Sequence, residues 1–409
     1  MFIQRTIPPA AAPIHFEDII CGLKGLFLGQ KETERFKLSL KEYFGVRHCF
    51  LVSSGKAALS IILQALNEIC PDKDEVLIPA FTCFSVPSAI VNAGLKVRLC
   101  DLRPDTLDFD FEQLPGSIFE APDSVKPNTR LLAAIPIHLF GIPADISRMR
   151  ELISNLKITI VEDAAQGMGG KWQKTKLGVL GDVSFFSLGR GKSLSTVEGG
   201  IILTDRDDIS SHIKNILTRM PSYRFIEKLR LILSSLALSI FLHPVLFWVP
   251  KALPFLKLGE TIYDPDFNVR PMTSFQAGLA RNWRKKLRRS KTERYKCVKV
   301  WSTLFQKSKN YGPAGTRNVP GDLNLIRFPV SVCDRKLRDK ILDRSEKMGL
   351  GIMPGYPDSI NRIPELKHQF KGQAFPVAQK LSETLITLPA HSLVSRKDKK
   401  RIIEMISDL

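Results

Sequence analysis

Seven short apolar runs alternate with helical patterns between residues 48 and 205, and no other feature limits the fold of this chain as much. The runs cover 48–52, 75–78, 96–100, 131–136, 158–162, 183–187 and 200–204. Segments 56–69, 84–93 and 144–155 between them carry helical spacing. Strand–helix alternation with Gly and Pro punctuation predicts an α/β fold, a mostly parallel central sheet covered on both faces. In such sheets the functional groups collect outside the carboxyl ends of the strands. Gly55 and Asp163 fall at such ends.

From about residue 276 the pattern changes. A basic helix over 276–300 is followed by a small α/β unit that closes with a helix over 396–409. The expected organisation is a large unit over 1–275 and a smaller C-terminal α/β domain over 276–409. Within the large unit, about 222–257 reads as an apolar insert. Its stretch 231–250 has no Asp, Glu, Lys or Arg, while Arg224, Lys228, Arg230, Lys251 and Lys257 flank it.

Three constellations carry chemistry. Ser54-Gly55-Lys56 ends a strand and opens a helix, and free N–H groups at a helix start bind phosphate. Asp163 ends the strongly apolar run 158–162 and either caps the next helix or holds a cation. Lys192 lies in a loop of Gly, Ser and Thr between two apolar runs. A lysine ordinarily titrates near 10.4, so a covalent link to an aldehyde needs desolvation or a neighbouring cation such as Arg190. A lysine of this kind and a carboxylate for a pyridine nitrogen are what a pyridoxal phosphate enzyme requires.

Several motifs in order extend this reading. They are Ser54-Gly55-Lys56-Ala57-Ala58-Leu59, Asp101-Leu102-Arg103-Pro104-Asp105-Thr106, His138-Leu139-Phe140-Gly141, Glu162-Asp163-Ala164-Ala165-Gln166 and Lys192-Ser193-Leu194-Ser195-Thr196. Asp266-Phe267-Asn268-Val269-Arg270 and Leu385-Ile386-Thr387-Leu388-Pro389 follow. As an ordered set the chain resembles the DegT/StrS family of pyridoxal phosphate-dependent sugar aminotransferases, over about 40–409. The resemblance implies a fold-type-I transferase. Lys192 would then hold the cofactor aldehyde and shuttle a proton, and Asp163 would pair with the pyridine nitrogen. Gln166 would lie by the ring and its hydroxyl. Ser54, Gly55 and Ser187 would bind the phosphate. Asn268 would reach the phosphate of a neighbouring subunit, since family members are homodimers with shared sites. The implied reaction moves an amino group, commonly from glutamate, to a keto group on a nucleotide-linked sugar.

This chain departs from the family at four positions. Lys56 stands for the usual threonine and either meets the phosphate or points away from it. Cys83, with Phe84 beside it, stands where many members stack an aromatic on the cofactor. Gly189 replaces a frequent histidine. Tyr356-Pro357 resembles a substrate loop without its following histidine. These departures keep two other readings open: a cofactor-binding regulator or scaffold without turnover, and an aminotransferase for a non-sugar keto acceptor.

Composition narrows the partners. Lys+Arg 60 against Asp+Glu 41 gives a formal net charge of +19, which favours anionic partners. Nucleic acid is not expected among them. The basic stretch 281–289 has no helix-turn-helix or aromatic-bearing sheet around it and reads as a solvated helix face. Seven scattered cysteines without a C-x-x-C pair argue against a disulfide framework or a zinc ribbon and read as small buried residues. The N-terminus lacks the order of a signal peptide, which predicts a cytoplasmic protein. Pro244 and Pro250 interrupt the insert, so a membrane crossing is not expected. Two expectations remain for 225–256: a peripheral contact with an anionic membrane, or a buried insert or dimer contact.

Overall fold

The computed structural model describes residues 5–118, 130–253, 261–305, 311–315 and 323–409. The predicted runs become strands β1 (His48–Val52), β2 (Glu75–Pro79), β3 (Lys96–Cys100), β4 (Leu131–Ala134) and β5 (Thr159–Asp163). A hairpin of β6 (Lys171–Trp172) and β7 (Thr175–Lys176) intervenes before β8 (Val183–Ser187) and β9 (Gly200–Thr204). The central sheet has seven strands in the order β1-β9-β8-β5-β4-β2-β3. Neighbours from β3 to β8 pair in parallel. Strand β9 runs antiparallel to both β8 and β1, so β1 points the same way as β8 and β5. The ends of β1, β5 and β8 therefore share one rim of the sheet, which brings the Gly55 turn, Asp163 and Ser187 to one side.

Side-chain alternation builds a core on each face. Phe185 and Ile202 pack with Ile61, Ile62 and Val161 on one face. Phe186, Ile201 and Leu203 pack with Phe44 and Trp283 on the other. Burial on both faces explains why the strands read as nearly unbroken apolar runs.

Beyond residue 310, strands β10 (Tyr311–Pro313), β11 (Arg327–Val332), β12 (Met353–Pro354) and β13 (Leu385–Pro389) form a second, antiparallel sheet in the order β10-β11-β13-β12. Helices Arg335–Met348, Pro376–Thr384 and Arg396–Ser407 accompany it. The architecture is the expected α/β fold with a smaller C-terminal sheet.

The basic helix differs from its expectation. It is two helices, Ser274–Leu279 and Trp283–Phe305, with a break at 280–282. The first packs on the N-terminal helix Phe16–Leu28 at backbone contact distance. A Cβ on Gly278 would lie 2.5 Å from the Cys21 carbonyl oxygen, and one on Gly22 would lie 2.7 Å from the Phe275 ring. Gly278→Ala is expected to lower stability by about 1–3 kcal/mol, the usual cost of overpacking, read as a lower melting temperature. The second helix is not a solvated face throughout. Trp283, Leu287, Arg294, Cys297, Trp301 and Phe305 line a buried seam, while Lys285, Arg288 and Arg289 are exposed. The cysteines are more varied than expected: Cys49, Cys100 and Cys297 are buried, and Cys333 is exposed.

The insert forms helix Phe225–Phe241 and a short helix Trp248–Lys251. Its residues 254–256 lie outside the described residues. The helix faces the protein with Leu231 and Ser235, and the Ser235 hydroxyl is satisfied by the Ile232 carbonyl at 2.7 Å. Phe225 (80% exposed), Ile226, Leu229, Leu233 and Ile240 face outward. The insert is therefore not buried within its own chain. Phe16, Ile20, Leu23 and Phe27 (92% exposed) of the N-terminal helix add a second outward apolar stripe, and the two helices touch. Among the described residues no helix is long and apolar enough to cross a membrane.

An N-terminal strap joins distant parts of the molecule. The Thr6 N–H donates to the Pro244 carbonyl and the Ile7 N–H to the Gly349 carbonyl, each at 2.8 Å. His391 Nε2 donates to the Pro8 carbonyl at 2.8 Å. The Arg5 guanidinium clamps Asp398 through Nε and Nη2, at 2.9 and 2.7 Å. Burial works against the Asp398 charge, but Arg5 and the Ser395 hydroxyl and N–H outweigh it and hold the carboxyl down at about 2.

Candidate active site

The glycine turn is built for close approach. Ser54 caps helix Gly55–Ile69 by accepting from the Ala57 N–H at 3.1 Å. That leaves the first N–H groups of the helix without intrahelical acceptors. A Cβ on Gly55 would fall 2.7 Å from the Ser187 Cβ, so the turn and the end of β8 press together. Ser54, Gly55 and Ser187 thus lie together on one edge. Lys56 points away from it. Its Nζ pairs with Asp264 at 2.8 Å and lies over the Phe267 ring at 4.3 Å.

Asp163 ends β5 and is buried. Its Oδ1 accepts from the Ala165 N–H at 2.9 Å. Burial pushes its carboxyl up to about 6, while the Ala165 N–H and the nearby Lys192 charge pull the other way. A sequestered carboxylate with so little support is well matched to a cationic ligand group. Beneath it, His138 and Glu162 fix the strand ends. Ala144 N–H donates to His138 Nδ1 at 3.0 Å, so Nε2 carries the proton and donates to Glu162 at 2.8 Å. Glu162 also accepts from the Leu180 and Gly181 N–H groups at 2.7 and 3.0 Å, and from that of Gly178.

Lys192 occupies the loop between β8 and β9. The loop is closed by Leu188 N–H to Gly199 carbonyl at 2.7 Å and Thr196 N–H to Leu188 carbonyl at 2.9 Å. Val197 holds a left-handed φ of 74°, rare for a β-branched residue, with its N–H on the Ser195 hydroxyl at 3.2 Å. Arg190, the expected neighbouring cation, is exposed. The cation that touches the loop is Arg294, which donates to the Lys192 carbonyl at 2.8 Å and to Ser193 Oγ at 3.1 Å. Arg294 is buried, which lowers its guanidinium to about 10, still charged at neutral pH. Arg294 lies beyond the basic stretch 281–289 and was not singled out from the sequence. Its signal was spacing: Arg294 falls in helical register with Leu287, Cys297 and Trp301.

Gln166 is buried, and its Nε2 donates to the Tyr356 hydroxyl at 3.0 Å. Tyr356 stacks on Phe140, with ring centres 5.8 Å apart. Cys83 is partly exposed, with its thiol 3.4 Å from the Ser85 hydroxyl, and it lies close enough to influence Tyr356. Phe84 is buried in the main core. Asn268 is apart from these groups. It is exposed on a segment stitched down by Asp264 N–H to Ser88 Oγ at 2.9 Å and Asn92 Nδ2 to the Pro265 carbonyl at 2.8 Å. The structure thus gathers Asp163, Gln166 and Lys192 beside the Gly55–Ser187 edge, and leaves Asn268 directed outward.

A lysine hairpin facing a buried strand-end carboxylate, on a sheet with one reversed strand, marks a pyridoxal phosphate-dependent transferase of fold type I. The residues present suit that cofactor: the Gly55–Ser187 edge for its phosphate, Asp163 for its ring nitrogen and Lys192 for its aldehyde. The profile of the DegT/DnrJ/EryC1/StrS aminotransferase family matches residues 23–407, and the chain belongs to that family. It is therefore a pyridoxal phosphate-dependent aminotransferase.

The chain is 23% identical to an uncharacterized protein of Methanocaldococcus jannaschii, over 100% of this chain and 99% of that one. GDP-perosamine synthase of Caulobacter vibrioides is 31% identical over 44% of this chain and 45% of its own. L-glutamine:2-deoxy-scyllo-inosose aminotransferase of Streptomyces kanamyceticus is 29% identical over 49% of this chain and 45% of its own. The chain thus spans under half the length of these two named relatives. Among solved structures, Helicobacter pylori PseC, an aminotransferase involved in pseudoaminic acid biosynthesis, superposes with TM-score 0.77 at 16% identity, covering 98% of each chain. GDP-4-keto-6-deoxy-D-mannose-3-dehydratase of E. coli superposes with TM-score 0.75 at 18% identity, covering 98% of this chain and 100% of that one. These likenesses show the fold.

Proposed function

We propose that the chain moves an amino group, from glutamate, to a keto group on a nucleotide-linked sugar used for a surface polysaccharide or glycolipid. The observation that carries this reading is the convergence of Lys192, Asp163 and Gln166 at one rim, with the lysine loop pinned by the buried Arg294. Bound pyridoxal phosphate supplies an aldehyde and an electron-withdrawing ring. Asp163 keeps the ring nitrogen protonated. Lys192 Nζ would hold the aldehyde and would carry a proton between substrate and cofactor. Gln166, held by Tyr356, orients the ring edge, and the Gly55 turn with Ser187 anchors the phosphate. The relatives named GDP-perosamine synthase and L-glutamine:2-deoxy-scyllo-inosose aminotransferase support the acceptor class. The retained lysine supports transamination over dehydration.

The protein is proposed to work as a cytoplasmic homodimer. Asn268, exposed and without a partner on its own chain among the described contacts, completes the phosphate site of the second copy. Lys56 holds the Asn268 segment through Asp264 and Phe267. The outward apolar stripe of Phe225–Phe241, with Arg224, Lys228 and Arg230 beside it, supports peripheral contact with an anionic membrane. Anionic liposomes are expected to float the protein, and deletion of 231–250 to abolish flotation. Flotation equal in the deletion would sink the membrane contact and leave the stripe to the dimer. The catalytic reading is tested by amino-donor consumption with a panel of keto-sugar nucleotides. Turnover with none of them, by an enzyme that still accepts the amino group of glutamate, would favour a non-sugar acceptor.

A further inference from the structure

Arg327, the first residue of β11, has a guanidinium edge that no described residue meets. Its Nε and Nη2 are both shut off from solvent, and neither has a hydrogen-bond partner among the described residues. Those two N–H groups form the parallel edge of a guanidinium that matches a planar carboxylate. The chain uses this same edge repeatedly. Arg5 grips Asp398, Arg103 grips Asp105 and Arg281 grips Glu32 through Nε and Nη2. At Arg327 the same edge meets no carboxylate among the described residues. A cationic edge shut off from water and left unpaired is costly, so such a fork is kept where a ligand completes it.

The fork lies at the active site. Residue 326 donates its N–H to the Phe140 carbonyl at 3.0 Å, and Phe140 stacks on Tyr356, the partner of Gln166. Asn324, three residues before Arg327, donates to the Met168 carbonyl at 2.7 Å and reaches Ser193 Oγ, next to Lys192, at 3.4 Å. Its own Oδ1 is buried without a partner among the described residues. Burial lowers the Arg327 guanidinium to about 10, and Tyr356 is near enough to oppose that shift.

We propose that Arg327 binds a carboxylate of the amino donor, through a side-on, two-bond contact on the Gln166–Tyr356 side of Asp163. This inference rests on the aminotransferase reading of the site. The same fork would accept two oxygens of a phosphate from the nucleotide of the acceptor, and experiment separates the two sources.

The test uses holoenzyme reconstituted with pyridoxal phosphate, as wild type, Arg327→Met and Arg327→Lys. Folding is checked by the cofactor's visible band and the melting temperature. Maleate, a dicarboxylate that cannot donate an amino group, is titrated against that band. UDP, GDP and dTDP are titrated by calorimetry. Arg327→Met is expected to weaken maleate by at least about tenfold, the worth of a charged two-bond contact, with nucleotide affinity moved less than about twofold. Arg327→Lys keeps the charge and loses the fork, so it should weaken maleate by at least about threefold. It decides the matter if the methionine variant does not fold. Equal maleate affinity in every folded variant would overturn the proposal. So would a loss confined to the nucleotides, which would assign the fork to phosphate. A wild type without a visible band would fail the cofactor reading instead, a result distinguishable from unchanged maleate binding in a protein that has the band.

Discussion

Lys192→Ala should fold normally and lack the visible band that wild type develops with pyridoxal phosphate. Glutamate should convert that band in wild type, and transamination by the variant should fall at least about thousandfold, since both the covalent anchor and the proton carrier are removed. The expectation of normal folding has a structural basis. Arg294 holds the Lys192 carbonyl and the Ser193 hydroxyl, and both survive the substitution. The loop therefore keeps its shape while losing its amine. A wild-type band indifferent to every amino donor would favour a regulator or scaffold without turnover. A band of equal intensity in Lys192→Ala would remove the lysine from the role argued for it.

Asp163→Asn should have opposite effects on the apoprotein and the holoenzyme. The carboxyl is pushed by burial from 3.8 to about 6. A carboxyl raised in the folded state gives its full stability below its unfolded pKa and loses it as pH rises through the folded value. The wild-type apoprotein should therefore weaken between about pH 4 and pH 6, by up to about 3 kcal/mol for a shift of about two units. An asparagine can still accept from the Ala165 N–H and has no charge to bury. The apo variant should thus melt above wild type at pH 7 and with it below pH 4. With pyridoxal phosphate the order should reverse, because a neutral amide does not balance a protonated ring nitrogen. Melting curves across pH 4 to 8, with and without the cofactor, report both effects. Parallel pH dependence of the two apoproteins would show that Asp163 is not held in the unfavourable burial described above.

Much of this site could be read in the chain because it depends on local sequence. Strand ends at Val52, Asp163 and Ser187 follow from short apolar runs bounded by small or polar residues, and the sheet places those ends together. The serine cap before Gly55 is also a local signal. What escaped depends on contacts far apart in sequence. Arg294 looks like one more solvated base until the seam of Trp283 and Trp301 turns it inward. Arg327 opens a strand whose outward and inward faces are set only when β13 pairs with it. Lys56 is ambiguous in sequence because its partners, Asp264 and Phe267, lie about two hundred residues away. The helix break at 280–282 carries no proline. It follows from two helices docking on different surfaces, one on Gly22 and one on the core around Phe44. The insert was legible as apolar, while the direction of its apolar side was not, because Ser235 is satisfied by its own helix and turns inward with Leu231.

The N-terminal strap bears on how the polypeptide reaches this shape. Arg5 meets a carboxylate 393 positions later, and Ile7 and Pro8 are held by Gly349 and His391. During synthesis at roughly 5–20 residues per second, residues 5, 7 and 8 wait until positions 349–398 are made before these anchors exist. The exposed stripe of the following helix waits with them. Docking of the strap is therefore expected among the last events of folding, closing a seam between the insert and the final helix. A protease site placed beside Arg5 should be cut in nascent chains that stop short of residue 349 and should resist cleavage once residues 349–398 are present.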